Sequence, residues 1–142
     1  MILNKILDLY KKYKELINYL IFGFLTTVVS LVIYYLLTFT VINPEKPLLL
    51  QLANIISWIS GVIFAYITNR KYVFESNNKD VLKESLSFVG ARVITLILDM
   101  IIMGVGVTLL NKNDKIVKII SQIIVIVSNY LFSKIIVFKE EK

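Results

Sequence analysis

Three bases and two amides in this 142-residue chain stand where they could hold a phosphate. Arg70 and Lys134 each end a long neutral apolar run, Arg92 interrupts another, and Asn69 and Asn129 lie close to them in sequence. A guanidinium fork matches phosphate oxygens, an amide adds a neutral donor, and a low dielectric strengthens both contacts. Tyr66 and Tyr130 each precede a base by four residues and, at headgroup depth, could stack on a sugar ring. Asp99 is the one carboxylate inside an apolar run. It could stay protonated and couple to proton movement, hydrogen-bond structurally, or pair with a base on another helix. No other catalytic constellation is visible. The serines have no histidine to activate them, and Gly104-Val105-Gly106 lies inside a run rather than in a phosphate loop. Enzymatic activity therefore has no residues to rest on. The chain has no cysteine and no histidine, which excludes disulfides, thiol chemistry and the usual zinc and haem ligands. No cofactor, no metal and no nucleic-acid partner is expected.

Two of the bases occupy equivalent places. The stretch AYITNRKYVF at 65–74 is echoed by NYLFSKIIVF at 129–138. Tyr66 answers to Tyr130, Arg70 to Lys134, and Val73-Phe74 to Val137-Phe138, all 64 residues apart. Upstream, Ile55-Ile56-Ser57 matches Ile119-Ile120-Ser121 at the same offset. A fixed offset of this kind marks an internal repeat.

The elements that position these residues must be membrane helices. The chain is 57% apolar and 18% charged, with a mean hydropathy of +0.75, whereas a soluble domain carries about 25% charge. The runs Leu16–Ile42 and Leu48–Asn69 hold no charge, Ser85–Leu110 is broken only by Arg92 and Asp99, and Ile119–Ser133 is again neutral. About 20 such residues cross the hydrocarbon core. The spacing predicts an all-α membrane protein: one integral membrane domain over 1–142, with spans near 17–42, 48–69, 85–110 and 116–138. The spans form two hairpins as parallel repeats. Before them, Ile2, Ile6, Tyr10 and Tyr13 fall opposite Lys5, Asp8, Lys12 and Glu15, so residues 1–15 read as an amphipathic interfacial helix. A cleaved signal peptide is not expected, because the first apolar run is too long for one.

Helix contacts should run along stripes of small or polar residues, as they do where no hydrophobic effect drives association. Span one offers Gly23, Thr27, Ser30 and Tyr34, and span two offers Ala53, Ser57, Gly61 and Ala65. Span three offers Ser85, Arg92, Thr95, Asp99 and Gly106, and span four Gln122, Asn129 and Ser133. The turn at 43–47, with Pro44 and Pro47, closes the first hairpin, and residues 75–84 form a hydrated loop between the halves. Eleven Lys/Arg lie on the side of the termini and the 70–84 loop, against four on the other. Both termini are therefore expected in the cytoplasm, in a multi-pass protein of the cytoplasmic membrane. Arg92 then lies roughly 10 Å below Ser85, and Asp99 about 21 Å below it, at 1.5 Å per residue. At that depth Arg92 could converge with Arg70 and Lys134.

These motifs resemble a known family. FGFLTTVVS in span one, NRKYVF ending span two, the arginine of FVGARVITLILD and the closing SNYLFSKIIVF are similar to the GtrA-like membrane proteins, over about residues 17–138. The resemblance implies four helices and a part in cell-surface polysaccharide synthesis. It also implies a polyprenyl-phosphate-linked sugar, such as glucosyl undecaprenyl phosphate, flipped or presented to a glycosyltransferase. Lys134 stands where the family often has arginine, a point charge in place of a bidentate fork. Two functions compete: a carrier that binds and flips the lipid-linked sugar, and a non-transporting subunit that anchors a polyprenyl-phosphate glycosyltransferase. A proton-coupled drug exporter would want a membrane-embedded glutamate near its start, and span one has none. Membrane lipids surround the protein in either case, and a wall of four helices is thin enough that a homodimer or a partner enzyme is expected.

Overall fold

The computed structural model describes residues 1–43 and 45–139. Pro44, half of the double-proline signal, lies outside them, as does Lys142, one of the bases used for orientation. Four helices follow in order: α1 (Ile2–Thr40), α2 (Pro47–Thr68), α3 (Val81–Met103) and α4 (Asp114–Phe132). The last three run on into π-helical turns at Asn69–Val73, Gly104–Leu109 and Ser133–Val137. With these turns, all four are long and apolar enough to cross a bilayer, and the described residues contain no strand. The protein is a multi-pass, all-α membrane protein. It divides into two compact units, Met1–Glu75 and Ser76–Lys142, each built on a helical hairpin.

In the first unit the small ridge of α2 forms the seam with α1. Ala53, Ser57, Gly61 and Ala65 are all buried, while Ile63 is exposed. A Cβ added at Gly61 would collide with Ser30 Oγ, so the helices approach as only a small residue allows. On α1 the expected stripe is only half right. Ser30 meets Gly61, but Gly23 and Thr27 are exposed and a Cβ on Gly23 would touch nothing. Thr26, one position away from Thr27, takes the place beside Gly61. At 3.6 residues per turn, a long contact drifts off a strict four-residue stripe.

Helix α1 is continuous from Ile2 but breaks at Tyr13, where φ −112° and ψ 20° leave the helical region. The N-terminal segment is thus a separate helical piece ending at Tyr13, two residues before the expected boundary. All of residues 1–14 are exposed, its apolar side included. Pro47 sits in the first turn of α2, where its missing N–H has no intrahelical partner to lose.

In the second unit α3 starts at Val81, four residues earlier than expected. Asp80 Oδ1 accepts from the Lys83 amide at 3.1 Å and caps the helix. Glu84, only 2% exposed, accepts the Ser76 hydroxyl at 2.6 Å. The hydrated loop therefore ends at Asp80, and its last carboxylate belongs to the folded unit. Asn113 caps α4, its side chain accepting from the Lys115 and Ile116 amides. Gly106 approaches Val117 so closely that a Cβ there would meet Val117 Cγ1 at 2.6 Å.

The π turns make the sequence repeat a structural one. The Phe74 amide donates to the Asn69 carbonyl at 2.9 Å, and the Phe138 amide to the Ser133 carbonyl at 2.8 Å, both five residues back. A widened turn displaces carbonyls from their usual donors. In the first unit Thr68 Oγ1 donates to the Phe64 carbonyl at 2.8 Å, and Asn69 Nδ2 to the Ala65 carbonyl at 2.6 Å. Val73 and Val137 are both buried, and Phe138 packs on Phe88 with ring centroids 6.0 Å apart. The Val-Phe pairs are therefore anchors that hold the turns bearing Arg70 and Lys134.

Candidate anion site in the third and fourth helices

Helix α3 turns Glu84, Phe88, Arg92, Thr95 and Asp99 toward one side, at the spacing of a helical face. Phe88 is completely buried, and the Arg92 guanidinium lies 4.7 Å from its ring centroid. Stacking on an aromatic face holds a guanidinium flat while leaving its edge of N–H donors open. Among the described residues that edge makes no hydrogen bond and no ion pair. Arg92 is half-buried inside a span, where an ionisable group without a counter-charge is rare.

One turn further on, Thr95 joins α3 to α4. Its hydroxyl donates to Asn129 Oδ1 at 2.7 Å and also stands 3.0 Å from the Arg92 carbonyl. The acceptor of Asn129 is thereby occupied, and its Nδ2 has no partner among the described residues. The Arg92 guanidinium on α3 and Asn129 Nδ2 on α4 are thus both donors without an acceptor among the described residues. Such a set favours an anion with several acceptor oxygens.

Asp99 has a different place. Lys118 Nζ lies 2.8 Å from Oδ2, and Ser121 Oγ donates to Oδ1 at 2.6 Å. Of the alternatives open for Asp99, the structure shows pairing with a base on another helix, supported by a hydroxyl. Of the stripe expected on α4, Asn129 bonds Thr95 and Ser133 is buried, Gln122 is exposed, and Ser121, fully buried, joins the face toward α3. Sequence reasoning assigned no role to Lys118 or Phe88. The signal for Lys118 was its place inside the expected span 116–138, and the structure puts it four residues after the Asp114 start of α4.

The remaining expected site residues fall on the repeat turns. In the second unit Lys134 Nζ stands 5.7 Å from the Tyr130 ring centroid, so one neighbour of the tyrosine is the base itself. In the first unit Tyr66 and Arg70 are half-buried and Asn69 is 2% exposed. Asn69 Oδ1 is buried with no hydrogen-bond partner among the described residues. Lys71 is exposed and lies 5.2 Å from the Tyr72 ring centroid, and Tyr72 stacks on Phe22 at 5.2 Å. The structure therefore ties Asn129 to Thr95, one turn from Arg92 on α3, and brings Tyr130 to Lys134, all within one unit, while the Arg92 side chain turns to Phe88. Tyr66, Asn69 and Arg70 are held by the equivalent turn of the other.

Comparison with known proteins agrees with this architecture. The family model described as "GtrA/DPMS, transmembrane domain" matches residues 18–138. A curated relative from Listeria monocytogenes serovar 1/2a, "Cell wall teichoic acid glycosylation protein GtcA", is 39% identical over 131 residues, covering 90% of this chain and 87% of the relative. "Uncharacterized membrane protein YwcD" of Bacillus subtilis is 36% identical over 127 residues, covering 87% of this chain and 96% of that protein. No solved structure matches. With the family model covering both hairpins and all three π turns, the chain belongs to the GtrA/DPMS transmembrane-domain family.

Proposed function

We propose that this protein binds the phosphate of a polyprenyl-phosphate-linked sugar and carries it across the cytoplasmic membrane. The sugar would then be available for glycosylating a cell-wall polymer, as the teichoic acid named for its Listeria relatives suggests. The observation that carries the reading is Arg92: a half-buried guanidinium within a span, stacked on Phe88, with no counter-ion among the described residues. A lipid phosphate supplies the missing charge at the depth where a lipid headgroup can reach it. The Nδ2 of Asn129 adds a neutral donor, and Lys134 with Tyr130 presents a further cation beside a ring that suits a sugar face. Tyr66, Asn69 and Arg70 offer the same kinds of group on the first unit's turn. The role needs no bond broken or formed by the protein. The excess of bases on one side supports an orientation with both termini in the cytoplasm. Asp99, held by Lys118, serves structure on this reading rather than proton coupling.

The test is reconstitution of the purified chain in proteoliposomes holding labelled glucosyl undecaprenyl phosphate in one leaflet. Transfer to the other leaflet, well above empty liposomes, is expected. Binding without transfer would refute carriage and favour a subunit that anchors a polyprenyl-phosphate glycosyltransferase.

A further inference from the structure

We propose that Lys118 is a second phosphate station, kept weak by Asp99; this rests on the reading that a lipid phosphate engages Arg92. Between the apolar contacts of Phe88 with Phe138 and of Gly106 with Val117, the seam of α3 and α4 is polar, through the Thr95–Asn129 pair and the group of Asp99, Ser121 and Lys118. Arg92 and Asp99 are seven residues apart, about 10 Å along the helix axis. This polar stretch therefore has Arg92 on one side and Lys118 on the other, with the Thr95–Asn129 pair between. The two cations differ in one respect: Arg92 has no counter-ion among the described residues, whereas Lys118 is held by a carboxylate.

The details of that hold suit exchange. The Lys118 side chain is 47% exposed and that of Asp99 18%, so the cation is the accessible partner and the carboxylate lies behind it. Ser121, fully buried, donates to Asp99 Oδ1 at 2.6 Å and keeps the carboxylate hydrogen-bonded if the lysine turns away. A phosphate reaching Lys118 must compete with Asp99 for it. The station consequently binds loosely and lets go, which is what the end of a transfer path requires. A lysine without its carboxylate would retain the anion instead.

The test uses the full-length chain in nanodiscs and undecaprenyl phosphate as the probe, with inorganic phosphate as a second arm. Asp99→Asn keeps the side-chain shape and an acceptor for Ser121 while freeing Lys118. It should bind undecaprenyl phosphate about fivefold more tightly than the parent and move it between leaflets more slowly. Adding Lys118→Gln should erase the gain in affinity. Lys118→Gln alone should transfer the lipid more slowly than the parent. Three results would each overturn the proposal: no gain in Asp99→Asn, a gain that survives Lys118→Gln, or transfer at the parent rate in Lys118→Gln. An equal gain for inorganic phosphate would also overturn it, because the station would then serve water-borne ions and not the lipid headgroup. Arg92→Ala reports separately: if it loses binding while Asp99→Asn shows no gain, the Lys118 station falls and the Arg92 site stands.

Discussion

The Thr95–Asn129 bond is the point at which packing and proposed chemistry meet, and a double-mutant cycle can measure it. Thr95 is 2% exposed and donates to Asn129 Oδ1 at 2.7 Å, so the bond is short and shielded. Hydrogen bonds between membrane helices contribute about 0.6 kcal/mol on average and up to roughly 1.7 kcal/mol. Thr95→Val removes the hydroxyl at almost constant shape and leaves the asparagine oxygen without its donor. We expect it to cost about 1 kcal/mol. Asn129→Leu should cost a similar amount, and the double variant less than the two together, with a coupling near the value of the bond. Unfolding of the full-length chain in mixed micelles measures all four corners. The same cycle has a functional readout. With Thr95→Val the Asn129 amide is free to turn its oxygen toward an anion, so affinity for undecaprenyl phosphate should fall about threefold. Strict additivity of the two changes would refute the reasoning, because it would mean the pair does not hold α3 to α4.

Other expected outcomes follow from close approaches and from charge. Gly61→Leu should destabilise the first hairpin because the backbone there meets Ser30, whereas Ile63→Leu, at an exposed position, should be nearly silent in the same unfolding assay. Gly106→Val should disturb the second unit through its clash with Val117, and Val117→Ala should restore part of the loss. Lys71→Ala should leave binding of undecaprenyl phosphate within about twofold of the parent, since its exposed ammonium rests beside Tyr72 and acts as an orientation anchor.

The membrane fold was legible because hydrocarbon imposes a length and a polarity that apolar runs report directly. The α2 ridge was legible for a related reason: Ala53, Ser57, Gly61 and Ala65 repeat at four-residue spacing, and close packing selects small residues. The partner stripe on α1 was less so, since Thr26 and Thr27 are chemically alike and only the crossing of the helices decides which one faces α2. The start of α3 was misplaced because Val81–Glu84 reads as polar loop, and its helical state depends on the Asp80 cap and on burial of Glu84. The offset of 64 residues pointed to equivalent turns. That these are π turns was not visible, because an extra residue in a helical turn leaves no periodicity to read in five residues. Arg92 stood out as a base inside a span, but its stacking on Phe88 and the taking up of Asn129 Oδ1 by Thr95 depend on side chains from two helices. Lys118 was hidden by its neighbours: with Lys112 and Lys115 it was counted as a loop base although the span expected from residue 116 holds it, and its pairing with Asp99 depends on how α3 and α4 pack.

The central claim, that Arg92 holds a lipid-linked phosphate, is tested most directly by the affinity of Arg92→Ala for glucosyl undecaprenyl phosphate in nanodiscs, with Arg92→Lys beside it. Charge-assisted hydrogen bonds contribute about 1.5–3 kcal/mol, so Arg92→Ala should bind at least about tenfold more weakly than the parent. Arg92→Lys, which keeps the charge but loses the planar fork and the stack on Phe88, should fall between the two. If a folded Arg92→Ala protein binds as tightly as the parent, the arginine is an idle base within the span and the account is contradicted.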